Sequence, residues 1–188
     1  MLKELVDKNR SHREFKGGVT IPRERLEAWI ANANHCPAAM NLQTIKYRIY
    51  DSAEDVARIL PITRWASSLG KKLPPEGHEP SAFILMMHDT TLAPIKPIFL
   101  MDVGICAQTI MLSATEDGFG GCMIGSATEE TMRETLSIPE ELTPVLLLGL
   151  GEPEDQVVLT VAGERVKYYR DENNVHYVPK RPLEEIII

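Results

Sequence analysis

Apolar positions near the N-terminus recur at helical spacing and then give way to shorter, strand-like runs. Leu2–Asn9 predicts a short amphipathic helix ending before Arg10-Ser11, and Phe15-Lys16-Gly17-Gly18 predicts a turn. Pro22 suits a first helical position, where its fixed φ and missing N–H do no harm. The helix it opens runs to about Asn34, with Thr20 as its cap and Leu26, Trp29, Ile30 and Ala33 on one face. Cys36-Pro37 stops it. Tyr47–Tyr50 reads as a strand, Ser52 caps a helix over Ala53–Leu60, and Ala82–His88 is an apolar strand. Between them, Gly70–Pro80 is dense in Pro and Gly, so it predicts irregular backbone. A loop that long in a compact domain is usually a lid or binding loop, or disordered.

The run from Phe99 to Gly118 predicts the most buried helix, with Met101, Val103, Ile105, Ala107, Ile110, Met111, Leu112 and Ala114 leaving little polar face. A helix apolar nearly all round must be covered on all sides, and in a small domain a second subunit can do that. Gly120–Ile124 is a short strand, Ser126 or Thr128 caps a helix to Leu136, and Val145–Leu150 is a central strand. From Pro153 to Pro182 the chain is polar, irregular apart from Val157–Val161, and it closes on Ile186-Ile187-Ile188. Three terminal isoleucines predict a strand or arm packed on a partner chain. No repeat or linker splits the 188 residues, so one domain of α+β or α/β layers is expected.

Composition narrows the partners. The chain carries 27 acidic and 20 basic residues, a net charge of −7. It therefore lacks the broad positive field that duplex nucleic acid or an anionic membrane attracts. Cys36, Cys106 and Cys122 are odd in number, far apart and without zinc spacing, which predicts buried reduced thiols. The N-terminus lacks a signal-peptide pattern, and no run is read as approaching about 18 apolar residues, so a cytoplasmic location is expected.

Four clusters carry candidate chemistry. Arg10, Ser11 and Arg13 set two guanidiniums around a hydroxyl and can grip an anion, or simply form a solvated helix end. In Pro37-Ala38-Ala39-Met40-Asn41-Leu42-Gln43, small residues leave the backbone bare to a flat ring, and the amides of Asn41 and Gln43 offer donors and acceptors. Gly118–Gly125 places glycines on both sides of a short strand, where a ligand could approach and an amide at Ile124 or Gly125 could donate; a tight turn explains the same pattern. Lys180-Arg181 are adjacent cations that could complete a phosphate site or stay solvated. Trp65, Lys71, Lys72 and His78 border or lie in the long loop and are candidate substrate contacts, while His12, His35, His88 and His176 show no ligand spacing and read as structural.

Taken in order, these clusters resemble the nitroreductase family of FMN-dependent, NAD(P)H-linked oxidoreductases. Arg10-Ser11-x-Arg13-x-Phe15 is similar to its N-terminal signature, and Pro37, Ala38, Asn41 and Gln43 to its Pro-Ser-x-x-Asn-x-Gln-Pro-Trp loop. Gly120–Gly125 and Lys180–Glu185 are similar to its glycine strand and its C-terminal arm. The resemblance implies an α+β layered fold with a mostly antiparallel central sheet flanked by helices, and a homodimer whose C-terminal segment, about 179–188, is exchanged with the partner. It further implies FMN at the interface. Arg10, Ser11, Lys180 and Arg181 would take its phosphate and Arg13 its N1–O2 edge. Pro37, Ala38, Ala39, Asn41 and Gln43 would come from the other subunit, with Ile124 and Gly125 along N5–O4. No side chain is assigned as a catalytic nucleophile, because the flavin supplies the chemistry. Ala38 stands where the family has Ser, and Thr44-Ile45 where it has Pro-Trp. The activity implied is ping-pong hydride transfer from NADH or NADPH to a flat acceptor such as a nitroaromatic or quinone. The alternative is a flavin carrier or redox sensor without turnover.

Overall fold

A computed structural model describes residues 1–164 and 166–188. The main sheet has four antiparallel strands in the order β1 (Ile45–Tyr50), β2 (Ala82–Asp89), β4 (Leu142–Gly151), β3 (Gly120–Ile124). The central strand β2 is buried throughout, and its alternation sorts two cores. Ala82, Ile84 and Met86 face α2 (Arg23–Asn34) and α4 (Pro97–Glu116), where Trp29, Ala107 and Ile110 complete one cluster. Phe83, Leu85 and Met87 face the other side, with Val56 and Ile59 of α3 (Ala53–Ile59) and Met132 and Leu136 of α5 (Glu129–Leu136). This is the expected α+β layering.

Most element boundaries fall within a few residues of expectation, and the departures have local causes. Thr20 does not cap α2; Pro22 occupies the cap position without a side-chain bond. Thr128, not Ser126, caps α5 by accepting from the Thr131 amide, while Ser126 Oγ bonds the backbone of Arg64. The tail is more ordered than predicted: β5 (Val157–Val161), β6 (Tyr169–Arg170) and β7 (His176–Lys180) form a second sheet in the order β5-β7-β6. Pro179 masked β7 in the sequence. Because β6 is two residues long, β7 has a neighbour on one side only at Pro179, where a missing N–H is tolerated. The terminal residues form a short turn over Leu183–Glu185 and leave Ile186–Ile188 exposed.

Helix α4 is, by length and composition, long and apolar enough to cross a bilayer, which corrects the expectation that no run qualifies. Here one face, including Val103, Ala107, Ile110 and Ala114, is buried in the first core, and Phe99 is buried beside His88. Ile98, Leu100, Met101 and Ile105 remain exposed. The three cysteines are free, as expected, but Cys36 is only half-buried.

The segment after α1 (Leu2–Lys8) sets up the site by running beside β3: the His12 amide donates to the Gly121 carbonyl at 2.9 Å, and Ser11 bridges Gly121. Phe15 anchors it, fully buried against Trp65 at a 6.2 Å ring separation, a burial of about 1.5–3 kcal/mol. The glycines of β3 serve this packing. A Cβ at Gly120 would lie 2.8 Å from His12, and one at Gly121 2.2 Å from the Gly149 carbonyl. The expectation that these glycines admit a ligand is thus corrected at both positions; Gly118 and Gly125, at the two ends of the cluster, face open space.

Candidate functional site

Three parts of the chain converge on a cavity of about 380 Å³. Val6, Asn9, Arg10, Ser11 and Arg13 form one wall, Gln108 and Met111 of α4 with Met123 of β3 another, and Tyr168, His176, Val178 and Lys180 the third. The pattern of β7 puts His176, Val178 and Lys180 on one side of the strand, so Lys180 reaches the cavity. Arg181, next in sequence, does not line it; its guanidinium pairs with Glu185 at 2.9 Å. The expected Lys180-Arg181 pair is therefore split, with Lys180 alone beside Arg10.

The electrostatics are one-sided. In a chain with an excess of carboxylates, none lines this cavity among the described residues, whereas Arg10, Arg13 and Lys180 all do. Burial lowers the Arg10 pKa, partly opposed by Asp7, so its charge lacks full solvation. Arg10 donates to the Val6 carbonyl, and Arg13 to the Ser11 carbonyl at 3.1 Å. The Nε atoms of both are buried without a partner among the described residues. The Arg13 guanidinium also lies 5.4 Å from the Tyr168 ring centroid, which limits where its fork can point.

His176 belongs to the cavity, contrary to its reading as merely structural. Burial first, then the charges of Arg13 and Arg170, push its pKa down to about 4, opposed by Asp155. Arg13 can only donate to it, so His176 Nε2 accepts at 3.5 Å, which puts the proton on Nδ1. That Nδ1 is buried and has no partner among the described residues. Tyr168, Gln108, Met111 and Met123 were missed as well; nothing in the sequence distinguishes them from core or surface residues.

The Pro37–Gln43 loop lies elsewhere in the chain, near the start of α4, where the Ala39 amide donates to Asp102 at 3.0 and 3.1 Å. Met40, Asn41 and Gln43 have φ of 52°, 52° and 49°, a strained backbone for non-glycine residues. Gln43 donates to the Asn41 carbonyl at 3.3 Å, and Pro37, Asn41 and Gln43 are exposed while Ala38 and Ala39 are half-buried. Ile124 is buried in the second core and Gly125 is exposed beside it.

Trp65 is a correction. It is buried, donates from Nε1 to Thr63 Oγ1 at 2.8 Å and packs edge-on against Phe15 and Phe83, so it is a core residue and cannot meet a substrate. Leu73, Pro74 and Pro80 are also buried, and His78 is tied to Glu154 and, through its carbonyl, to Phe15. The loop is pinned along most of its length. Lys71 and Lys72 are exposed near its start.

The site is thus an α+β scaffold around a cavity lined by three cations and, among the described residues, by no carboxylate. The nitroreductase family model matches residues 6–152. The chain belongs to the nitroreductase family, whose members are FMN-dependent NAD(P)H oxidoreductases. It is similar to YdgI of Bacillus subtilis, provisionally assigned as an NAD(P)H nitroreductase, at 23% identity covering 81% of this chain and 88% of that one. Among solved structures it is similar to a nitroreductase family protein of Clostridium novyi, with TM-score 0.69 and 26% identity covering 82% and 86% of the two chains. An Exiguobacterium sibiricum protein solved in complex with FMN has the same fold, with TM-score 0.67 and 20% identity over 82% of this chain and 89% of that one.

Proposed function

We propose that this protein binds FMN as a homodimer and transfers hydride from NADH or NADPH to a flat organic acceptor such as a nitroaromatic or quinone by a ping-pong route. The observation that carries the reading is the convergence of Arg10, Arg13 and Lys180 on one cavity with no carboxylate in its walls. Its volume falls within the roughly 300–1,000 Å³ usual for ligand sites, and its buried, unpartnered Nε and Nδ1 donors suit a polyanionic cofactor with a polar ring edge. Similar proteins assigned as NAD(P)H nitroreductases, and one solved with FMN, support the same reading.

Bound FMN supplies hydride transfer at its ring N5. Arg10, Ser11 and Lys180 hold its phosphate through charge-assisted hydrogen bonds. Arg13 holds the N1–O2 edge, where a fixed positive charge favours the reduced, anionic ring. Ile124 and Gly125 supply the backbone beside N5–O4, with space at Gly125 for close approach. Pro37, Ala38, Ala39, Asn41 and Gln43 are contributed by the partner protomer. The exposed Ile98, Leu100, Met101 and Ile105 of α4 and the terminal isoleucines support that dimer, in which the residues beyond β7, rather than from 179 onward, pack on the other protomer, since Pro179 and Lys180 pair with β5 of their own chain.

Anaerobic mixing of the purified yellow protein with NADH or NADPH tests the reading: bleaching within seconds is expected, and a flavin that stays oxidised would identify a carrier without turnover. Met101→Glu combined with Ile105→Glu should yield a monomer by sedimentation and release FMN. A dimer that keeps its flavin would remove α4 from the interface.

A further inference from the structure

Beside the main cavity lies a second hollow of about 230 Å³, bordered by Ser68, Leu69 and Lys71 from the short helical turn before the loop and the loop's first residues, and by Lys167, Tyr168 and Tyr169 with Arg170 from the strand β6 and the segment before it. Tyr168 borders both spaces, one ring serving as the shared wall. We propose that this hollow is a side lobe of the active site that binds an anionic group, phosphate or carboxylate, of the substrate. The inference rests on the reductase reading and adds the charge class of the molecule that is reduced or oxidised.

Three observations support it. Lys71 and Lys167 are exposed, come from segments about a hundred residues apart, and have neither an ion pair nor a hydrogen bond among the described residues. Three of the other seven lysines are paired with carboxylates, Lys3 with Asp7, Lys16 with Glu152 and Lys46 with Asp89, whereas Lys71 and Lys167 border one hollow together without such a partner among the described residues. Second, no carboxylate lines the hollow, and Arg170 at its base is already paired with Glu14 and Asp155, so the two ammonium groups supply the uncompensated charge. Third, the hollow is smaller than the roughly 300–1,000 Å³ of a whole ligand site, which suits one substituent of a molecule whose flat part stacks on the flavin held in the neighbouring cavity. Two flexible point charges suit a phosphate or carboxylate without demanding the fixed fork an arginine would impose. The source is either the 2′-phosphate of NADPH or an acidic substituent on the acceptor.

The test uses the FMN-loaded full chain and a Lys71→Ala/Lys167→Ala double variant, with Lys71→Arg/Lys167→Arg as the charge-preserving control and flavin content as the check on folding. kcat/KM is measured for NADPH against NADH, and for 4-nitrobenzoate against the uncharged 4-nitrobenzamide. The preference for the charged member of one pair should fall about 10-fold in the alanine variant, the loss expected for charge-assisted contacts, and should survive in the arginine variant. A fall confined to NADPH assigns the nucleotide phosphate; a fall confined to nitrobenzoate assigns the acceptor. Equal losses within both pairs, or none, overturn the lobe. If neither nicotinamide bleaches the wild-type flavin, the reductase reading fails by itself. The lobe is then decided by calorimetric titration with adenosine 2′,5′-bisphosphate and with 4-nitrobenzoate: binding weakened in the alanine variant upholds it, and equal or absent binding in both proteins overturns it.

Discussion

Arg170 and the pair Arg10–Arg13 stand on neighbouring walls of the same region, yet their surroundings differ. The Arg170 side chain is 3% exposed and meets Glu14, Asp155 at 3.3 Å and Asn174 at 3.0 Å. Asp155, whose side chain is fully buried, also accepts from the Arg13 amide at 3.1 Å and contacts His12 Nδ1 at 2.7 Å. Each of the three arginines has a buried Nε without a partner, so that feature does not separate them. Carboxylates do: the terminal nitrogens of Arg170 face two, while among the described residues the Arg10 and Arg13 side chains hydrogen-bond no carboxylate, meeting backbone carbonyls, His176 and the Cys122 thiol instead. A buried cation with acidic partners ties the second sheet to the N-terminal segment. A half-buried cation without them has charge left over for a ligand.

The largest effect should come from breaking the paired group. Arg170→Met leaves Glu14 and Asp155 facing each other without their shared cation, a loss of about 3–5 kcal/mol for a buried pair cut on one side. Urea denaturation of the apo-protein should show it as a large fall in midpoint, whereas Arg10→Met should shift the same midpoint by less than about 1 kcal/mol. Comparable losses in both variants would erase the distinction. Next in size is cofactor affinity. Arg10→Ala should weaken FMN binding on the order of 10–100-fold and Lys180→Ala about 10-fold, from lost charge-assisted bonds. Arg181→Ala should change it little, because that side chain is engaged with Glu185. Flavin-fluorescence titration orders the three; an Arg181 effect as large as that of Lys180 would show that the loaded site is built differently.

These assignments also show what a sequence can and cannot reveal. The strand β2, the helix α4 and the Gly120–Ile124 strand were legible because long apolar runs and glycine boundaries are local signals. Arg10, Arg13 and Lys180 stood out as candidates because cations in an acidic chain are conspicuous, and the fold brings the three to one cavity. Arg181 was misread because adjacent residues at the end of a strand point to opposite sides, which composition does not encode. Trp65 was misread because an aromatic beside a Pro- and Gly-rich loop looks exposed until Phe15, Phe83 and Gly149 close around it. His176 was missed because its strand is placed by parallel pairing with β5, a contact between separate segments invisible in a polar tail, and Tyr168 because it enters the cavity from the segment just before β6.

His176 gives the most discriminating effect, confined to acid pH, because it sits between the two groups and is sensitive to both. Its folded pKa of about 4 lies below the ordinary 6.5. Between those values the unfolded chain binds the proton and the native apo-protein does not, so the contribution to stability is complete above about pH 6.5 and lost as pH falls toward 4. His176→Gln should flatten the decline of the urea midpoint through that window. His78, whose pKa is raised by its hydrogen bond to Glu154, acts in the opposite sense: its contribution is present below 6.5 and fades as pH climbs through the raised value, outside the window in question. FMN supplies the further distinction. An anion beside His176 favours its protonated form, so the loaded wild-type protein should decline less steeply between pH 6.5 and 4 than the apo-protein, and loaded His176→Gln should show no such relief. Identical slopes with and without FMN would place the cofactor's charge away from His176 and return this wall of the cavity to a structural role.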